Sequence, residues 1–256
     1  MKVKLCKYAL IERMKETLRS RHSHEQKHGK FFRPALGVLG ALALGAAVYF
    51  GPGLMNISTG NGQDPETSQS AEHPNHSNVT ATVFWVGESE SDDNDQIHNR
   101  ASAWIDDWVG AYGGIDGEDD RCNYKPCAFT PQENPFYFAL PYNDLDDSGN
   151  QKSSAKNIPW YNPNIAKDQT QLRNYWIKVT SNGKTAYGQW GDVGPFGEED
   201  FDYVFGNAKP QEKRAGLDLS PAMAEYLVID GRGQADWTFV YAKDVPAGPW
   251  KEIVTR

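Results

Sequence analysis

The groups in this chain best suited to chemistry are carboxylates. Two aspartates stand in defined settings: Asp192 in Gly191-Asp192-Val193-Gly194-Pro195-Phe196, and Asp218 in Gly216-Leu217-Asp218-Leu219-Ser220-Pro221. Each follows a strand-like or turn segment and precedes a feature that fixes its direction, a Gly-Pro step in one case and a capped helix start in the other. An Asp held this way can transfer protons, or it can hold a turn by accepting backbone N–H bonds, and residue types alone favour the turn. Asp144-Leu145-Asp146-Asp147-Ser148-Gly149-Asn150 fits the first half of a calcium loop, with oxygens at alternate positions and Gly sixth. Ala155 stands where the bidentate Glu is required, so a surface turn is the expectation. The run Asp116-Gly117-Glu118-Asp119-Asp120 is acidic without pattern and reads as a solvated loop.

Histidine narrows the choice further. Of six His, only His98 lies beyond position 80; His22, His24 and His28 belong to the N-terminal tail, and His73 and His76 to a polar linker. A multi-His zinc site is excluded beyond residue 80, and a Ser/His/Asp triad would depend on one residue. No phosphate-binding loop and no dinucleotide fingerprint occurs, so neither a cofactor nor a metal is expected. Cys122 and Cys127, five apart, can close a small disulfide loop in an oxidising compartment.

The elements around these residues fall into blocks. Residues 1–34 carry ten Lys/Arg against three Glu, whereas the remainder carries 16 Lys/Arg against 31 Asp/Glu, and the chain total is -8. Duplex DNA is excluded as a partner, because the bulk of the protein would repel phosphate. Between the blocks, Ala35 to Met55 is free of charge, and as a helix it spans about 31 Å, enough for a bilayer. The basic block before it keeps the N-terminus cytoplasmic and exports the rest to a periplasmic or extracellular location. The 34-residue leader favours an uncleaved signal-anchor over a cleaved signal peptide. Residues 56–79 form a Ser/Asn/Gly-rich linker. From there to the end, about 175 residues suffice for one domain.

Within that domain Asn99–Tyr112 has helical spacing, with Trp104, Trp108 and Tyr112 four apart on one face. Pro135–Leu140, Tyr175–Thr180, Thr185–Trp190 and Trp237–Ala242 have strand composition, as does Ala81–Val86. Asn182-Gly183 makes a hairpin turn, and Ser220-Pro221 opens a helix through Leu227.

A strand ending in D-x-G-P-F, then L-D-L-S-x-A entering a helix, then a closing W-x-F-V strand resembles the double-psi β-barrel superfamily. The nearest likeness is its rare lipoprotein A branch, with barwin, expansins and family-45 endoglucanases further off. It covers roughly residues 135–242. It implies a mainly β fold: a six-stranded double-psi barrel with short helices over 135–256, an added α/β segment over 80–134, and the N-terminal transmembrane helix outside both. The resemblance also implies binding, and in its enzymes cleavage, of cell-wall or envelope polysaccharide. Asp218 matches the proton donor of the family's H-F-D-L-S motif, with Gly216 in place of its His. The family's second acid ends the first barrel strand, and Asp144, after PFYFALPYN, is the nearest match; Asp192 is the other candidate base or stabiliser. Trp160, Tyr161, Trp190 and Phe196 are the candidate sugar-facing rings, though residues of this size are commonly core. A non-catalytic glycan- or protein-binding barrel is the alternative.

Overall fold

The computed structural model describes residues 73–90, 98–212 and 214–256. The basic tail 1–34, the apolar run 35–55 and linker residues 56–72 lie outside the described residues. Among the described residues no helix is long and apolar enough to cross a membrane.

The strands are β1 Asn75–Val83, β2 Arg121–Cys122, β3 Lys125–Pro126, β4 Tyr137–Leu140, β5 Trp176–Ser181, β6 Lys184–Val193, β7 Leu217–Leu219 and β8 Arg232–Val240. Among the described residues three short α-helices accompany them: α1 Trp108–Tyr112, α2 Phe201–Val204 and α3 Pro221–Leu227. The fold is therefore mainly β. Six strands close a barrel in the order β1-β7-β4-β6-β5-β8, with β1/β7 and β4/β6 parallel and the other neighbours antiparallel.

Alternation sorts side chains across the barrel wall. Phe138, Leu140, Leu217, Leu219, Ile177 and Trp190 fill one buried cluster, while Tyr137 and Ala139 join Phe84, Val86, Trp108 and Tyr112 in a second cluster on the other face of the wall. The β5–β6 hairpin turns on Asn182 and Gly183, both at positive φ (49° and 72°), the pairing that Asn-Gly supplies at least cost. Helix α3 begins as its sequence requires, with the Ser220 hydroxyl accepting the Met223 N–H at 3.2 Å and Pro221 in the first turn. It packs against β6 at Gly188, where an added Cβ would meet Met223 Sδ at 2.6 Å.

The end of α3 yields a stability prediction. Val228 caps the helix at φ 57° with 61% of its surface exposed. A β-branched residue in the left-handed region costs about 1–2 kcal/mol, and glycine returns part of that gain as chain entropy. Val228→Gly should therefore raise the unfolding free energy by about 0.5–1 kcal/mol, measured by urea titration.

Several expectations are corrected. The barrel does not start at 135: β1, drawn from the linker and the segment taken as added, is its first strand, pairing with β7 and β8. Its polar sequence conceals a strand because the register shifts between His76 and Val79, breaking the two-residue alternation. His76 is buried against Trp237, with ring centroids 4.0 Å apart, so it belongs to the barrel and not to the linker. The helix expected over 99–112 is confined to α1; Trp104 packs towards Trp190, whereas Trp108 and Tyr112 pack towards Tyr137, so the three rings share no single face.

The acidic run 116–120 is not wholly solvated. Asp116 is fully buried and bonded to Arg121 Nη1 at 2.8 Å and to the Tyr137 hydroxyl at 2.9 Å. Cys122 and Cys127 are disulfide-bonded, their Cα atoms 4.9 Å apart, and the loop they close holds the small β2–β3 hairpin.

Candidate functional site

The register of four neighbouring strands sets out the site. Thr82 of β1 pairs with Asp218 of β7, Asp218 with Ala139 of β4, and Ala139 with Asp192 of β6. Paired residues share a face, so these four form one row across the wall, opposite the inward-facing Leu217, Leu219, Phe138 and Trp190. Asp192 reaches this face through a bulge. The β4–β6 register passes from Phe138↔Trp190 to Ala139↔Asp192, leaving Gly191 unpaired. Without that extra residue Asp192 would point the same way as Trp190. With strands about 4.8 Å apart, the Asp192 and Asp218 Cα atoms stand two strand widths apart, roughly 10 Å.

Both acids line an open cleft of about 580 Å³, and a third carboxylate, Glu88, lines it with them. Glu88 lies five residues beyond β1. Its position is set by Asn99: the Gly87 N–H donates to the Asn99 carbonyl (2.6 Å), the Asn99 N–H to the Glu88 carbonyl (3.2 Å), and Asn99 Nδ2 to Glu88 Oε2 (3.2 Å). Asp218 accepts the Thr82 hydroxyl at Oδ1. Asp192 Oδ1 accepts the Ala103 and Val193 N–H groups at 2.7 and 2.8 Å. Gly194 follows at φ 147°, a conformation only glycine adopts readily, and a Cβ there would stand 3.5 Å from Asp218 Oδ2.

All three carboxyls hold their protons more tightly than usual. Burial pushes Glu88 up to about 7, with the Asp218 charge adding to the effect and the Asn99 bond opposing it. Burial likewise lifts Asp192 to about 7, against its two amide bonds, and Asp218 to about 6, against the Thr82 hydroxyl. Because the Asp218 charge raises both Glu88 and Asp192, their titration belongs to the group of three. Near neutral pH the cleft therefore holds both protonated and ionised carboxyls, the two states that paired proton transfer requires.

Other expected site residues lie elsewhere. Asp144 does not line the cleft. It is fully buried, accepting the Thr170 hydroxyl (2.6 Å) and the Gln171 N–H (2.7 Å), and so ties its loop to a neighbouring segment. Asp146 closes its own turn by accepting the Ser148 and Asn150 N–H groups. Trp190 is buried in the barrel core. Trp160 stacks on Tyr175 at 3.5 Å and donates its Nε1–H to the Gln171 carbonyl, and Tyr161 is half-buried beside the core. Of the four rings proposed to face sugar, Phe196 alone lines the cleft, with 47% of its surface exposed.

Glu88, Asn99, Thr82 and Arg214 are the lining residues that motif reading missed. Glu88 had a usable signal: it closely follows the strand-like run Ala81–Val86, and the resemblance asks for an acid after the first barrel strand. Recognising that run as barrel, not as added segment, would have singled out Glu88 in place of Asp144. No protein-family model matches this chain, and no curated protein matches it.

Proposed function

We propose that this chain is a double-psi-type barrel that cleaves envelope polysaccharide, carried outside the cytoplasmic membrane by the signal-anchor at 35–55. The reading is carried by one observation: Glu88, Asp192 and Asp218 converge in one cleft with their pKa values lifted by burial. The closed six-stranded mixed barrel is compatible with the double-psi class, and the D-x-G-P-F and L-D-L-S motifs are the ones that deliver two of the acids. Asp218 donates its proton to the departing glycosidic oxygen. Glu88 accepts a proton, from water in hydrolysis or from a sugar hydroxyl in a lytic reaction, so that one carboxyl ends the step protonated and the other ionised. Asp192, anchored by two amides, holds negative charge or a proton beside them as the cycle requires.

The test incubates the full chain with peptidoglycan and with cellulose and identifies the products by mass spectrometry. Water-added ends mark hydrolysis, and anhydro ends mark the lytic route. The pH dependence follows from the raised pKa values. Activity rises as Glu88 loses its proton (about 7) and falls as Asp218 loses its own (about 6), so kcat/KM is a low bell centred near pH 6–7, carried by the less populated of the two singly protonated arrangements. Glu88→Gln should remove the acid-side limb. Polymer binding without products at any pH would instead make the chain a glycan-binding module.

A further inference from the structure

The cleft has a charged rim of opposite sign. Arg214 lines it, and its guanidinium lies over the Phe196 ring, 3.8 Å from the centroid. Phe196 is itself unusual: a bulky, half-exposed ring held at φ 59°, in the left-handed region that such residues avoid. Strain of this kind persists where the surroundings hold a side chain in a required place, and here it holds the ring at the edge of the acid cleft. The ring in turn fixes the plane of the guanidinium. Glu212 Oε2 stands 3.6 Å from Arg214 Nε, a loose and exposed pair. Among the described residues nothing accepts from the two terminal nitrogens of Arg214, which leaves its outward fork open. A flat guanidinium pre-oriented by stacking, with that fork open, suits bidentate pairing with a carboxylate.

We infer that Arg214, stacked on Phe196, binds a carboxylate carried by the glycan, so that the cleft takes an acidic polysaccharide whose charged sugar lies next to the bond to be cut. The inference rests on the glycan reading above and deepens it. Phe196 follows Gly194, which faces Asp218, by two residues, at most about 7 Å of extended chain. The cation therefore serves the sugar adjoining the acids. Protons retained on those acids near neutral pH lessen their repulsion of an anionic chain. The carboxyl could come from a uronic acid or from a lactyl ether on an amino sugar. Both present the same planar anion.

Binding is measured by calorimetry with the full chain carrying Asp218→Asn, so that turnover does not interfere. The probes are polygalacturonate and peptide-free peptidoglycan strands, each beside its own carboxyl-reduced form. At least one acidic form should bind about 10-fold more tightly than its reduced counterpart, the scale of a charge-assisted pair. Which pair shows the difference identifies the carboxyl's source. Arg214→Gln should abolish the difference, and Arg214→Lys, which keeps the charge but loses the fork, should retain only part of it. Arg214 is exposed, and an unchanged melting curve checks that its variants fold. Equal binding of acidic and reduced forms, an acid preference that survives Arg214→Gln, or no binding of any probe would each overturn the inference. Cleavage of a neutral glucan with no acid preference would overturn it while leaving the cleavage reading intact. An Arg214-dependent acid preference without cleavage would do the reverse.

Discussion

Asp218→Asn loses turnover of whichever glycan the parent chain cleaves by about 10²–10⁴-fold, while its affinity for that glycan is kept. The amide cannot give up a proton to the leaving oxygen, yet it fills the same space and still accepts the Thr82 hydroxyl. A melting series shows that the loss is chemical and not a failure to fold. The Asp218 carboxyl is lifted from 3.8 to about 6 in the folded protein. The folded state then binds the proton more tightly than the unfolded chain, so this group's contribution is fully present below the unfolded value near pH 4. It is lost as pH rises through about 6. Asparagine removes that loss. The variant should match the parent at pH 4 and exceed it at pH 8 by about 1–3 kcal/mol. Unchanged turnover in a variant with this stability signature would end the acid-catalyst assignment.

The second large effect lies away from the cleft. Arg121→Met should destabilise the fold by about 3–5 kcal/mol, because it leaves Asp116 buried without its partner. Arg121 is nearly as enclosed as Asp116. It donates to Asp116 Oδ1 (2.8 Å), to the Gly117 carbonyl (3.0 Å) and to the Tyr124 carbonyl (2.9 Å). The other Asp116 oxygen takes the Tyr137 hydroxyl, which itself accepts the Val86 N–H at 3.0 Å. Burial pushes the Asp116 pKa up and Arg121 pulls it back. In the variant the Arg121 pull is gone and the Tyr137 hydroxyl bond opposes burial without it, so the destabilisation should grow as pH rises above about 4 and shrink below it. The double variant Asp116→Asn/Arg121→Met should recover part of the loss, since it removes the stranded charge. Equilibrium urea unfolding at pH 4 and pH 8 measures both effects. Val86 lies two residues before Glu88, so this network also bears on the segment that carries the cleft's third acid.

Legibility in the sequence followed local chemistry. The β5–β6 hairpin could be read because Asn182-Gly183 interrupts two β-rich runs, and α3 because Ser220-Pro221 is a strong helix start. Asp192 and Asp218 were found because short motifs mark them. What could not be read depended on partners distant in the chain. Strand β1 is Asn-His-Ser-Asn-Val-Thr-Ala-Thr-Val, two thirds of it polar, and it is a strand because β7 and β8 pair with it from more than 130 residues away. With β1 missed, the barrel seemed to begin at β4. Asp144 then stands as the nearest second acid, and its enclosure by Thr170 and Gln171 leaves no trace in local spacing. Trp190 and Phe196 had equal claim as sugar-facing rings, and only the alternation within β6 and the turn after it separated core from rim.

The row Thr82–Asp218–Ala139–Asp192 makes the barrel wall a ruler with fixed divisions. Two of the acids occupy marks on that ruler, and the separation of their Cα atoms is set by strand spacing and register. Glu88 is off the ruler, on chain that has already left β1. Fine adjustment of the gap between carboxyls, which decides whether a water molecule fits between acid and base, therefore falls to the Glu88 segment and its tie to Asn99. A barrel of this kind can keep its wall unchanged while one loop sets the stereochemical course of the reaction.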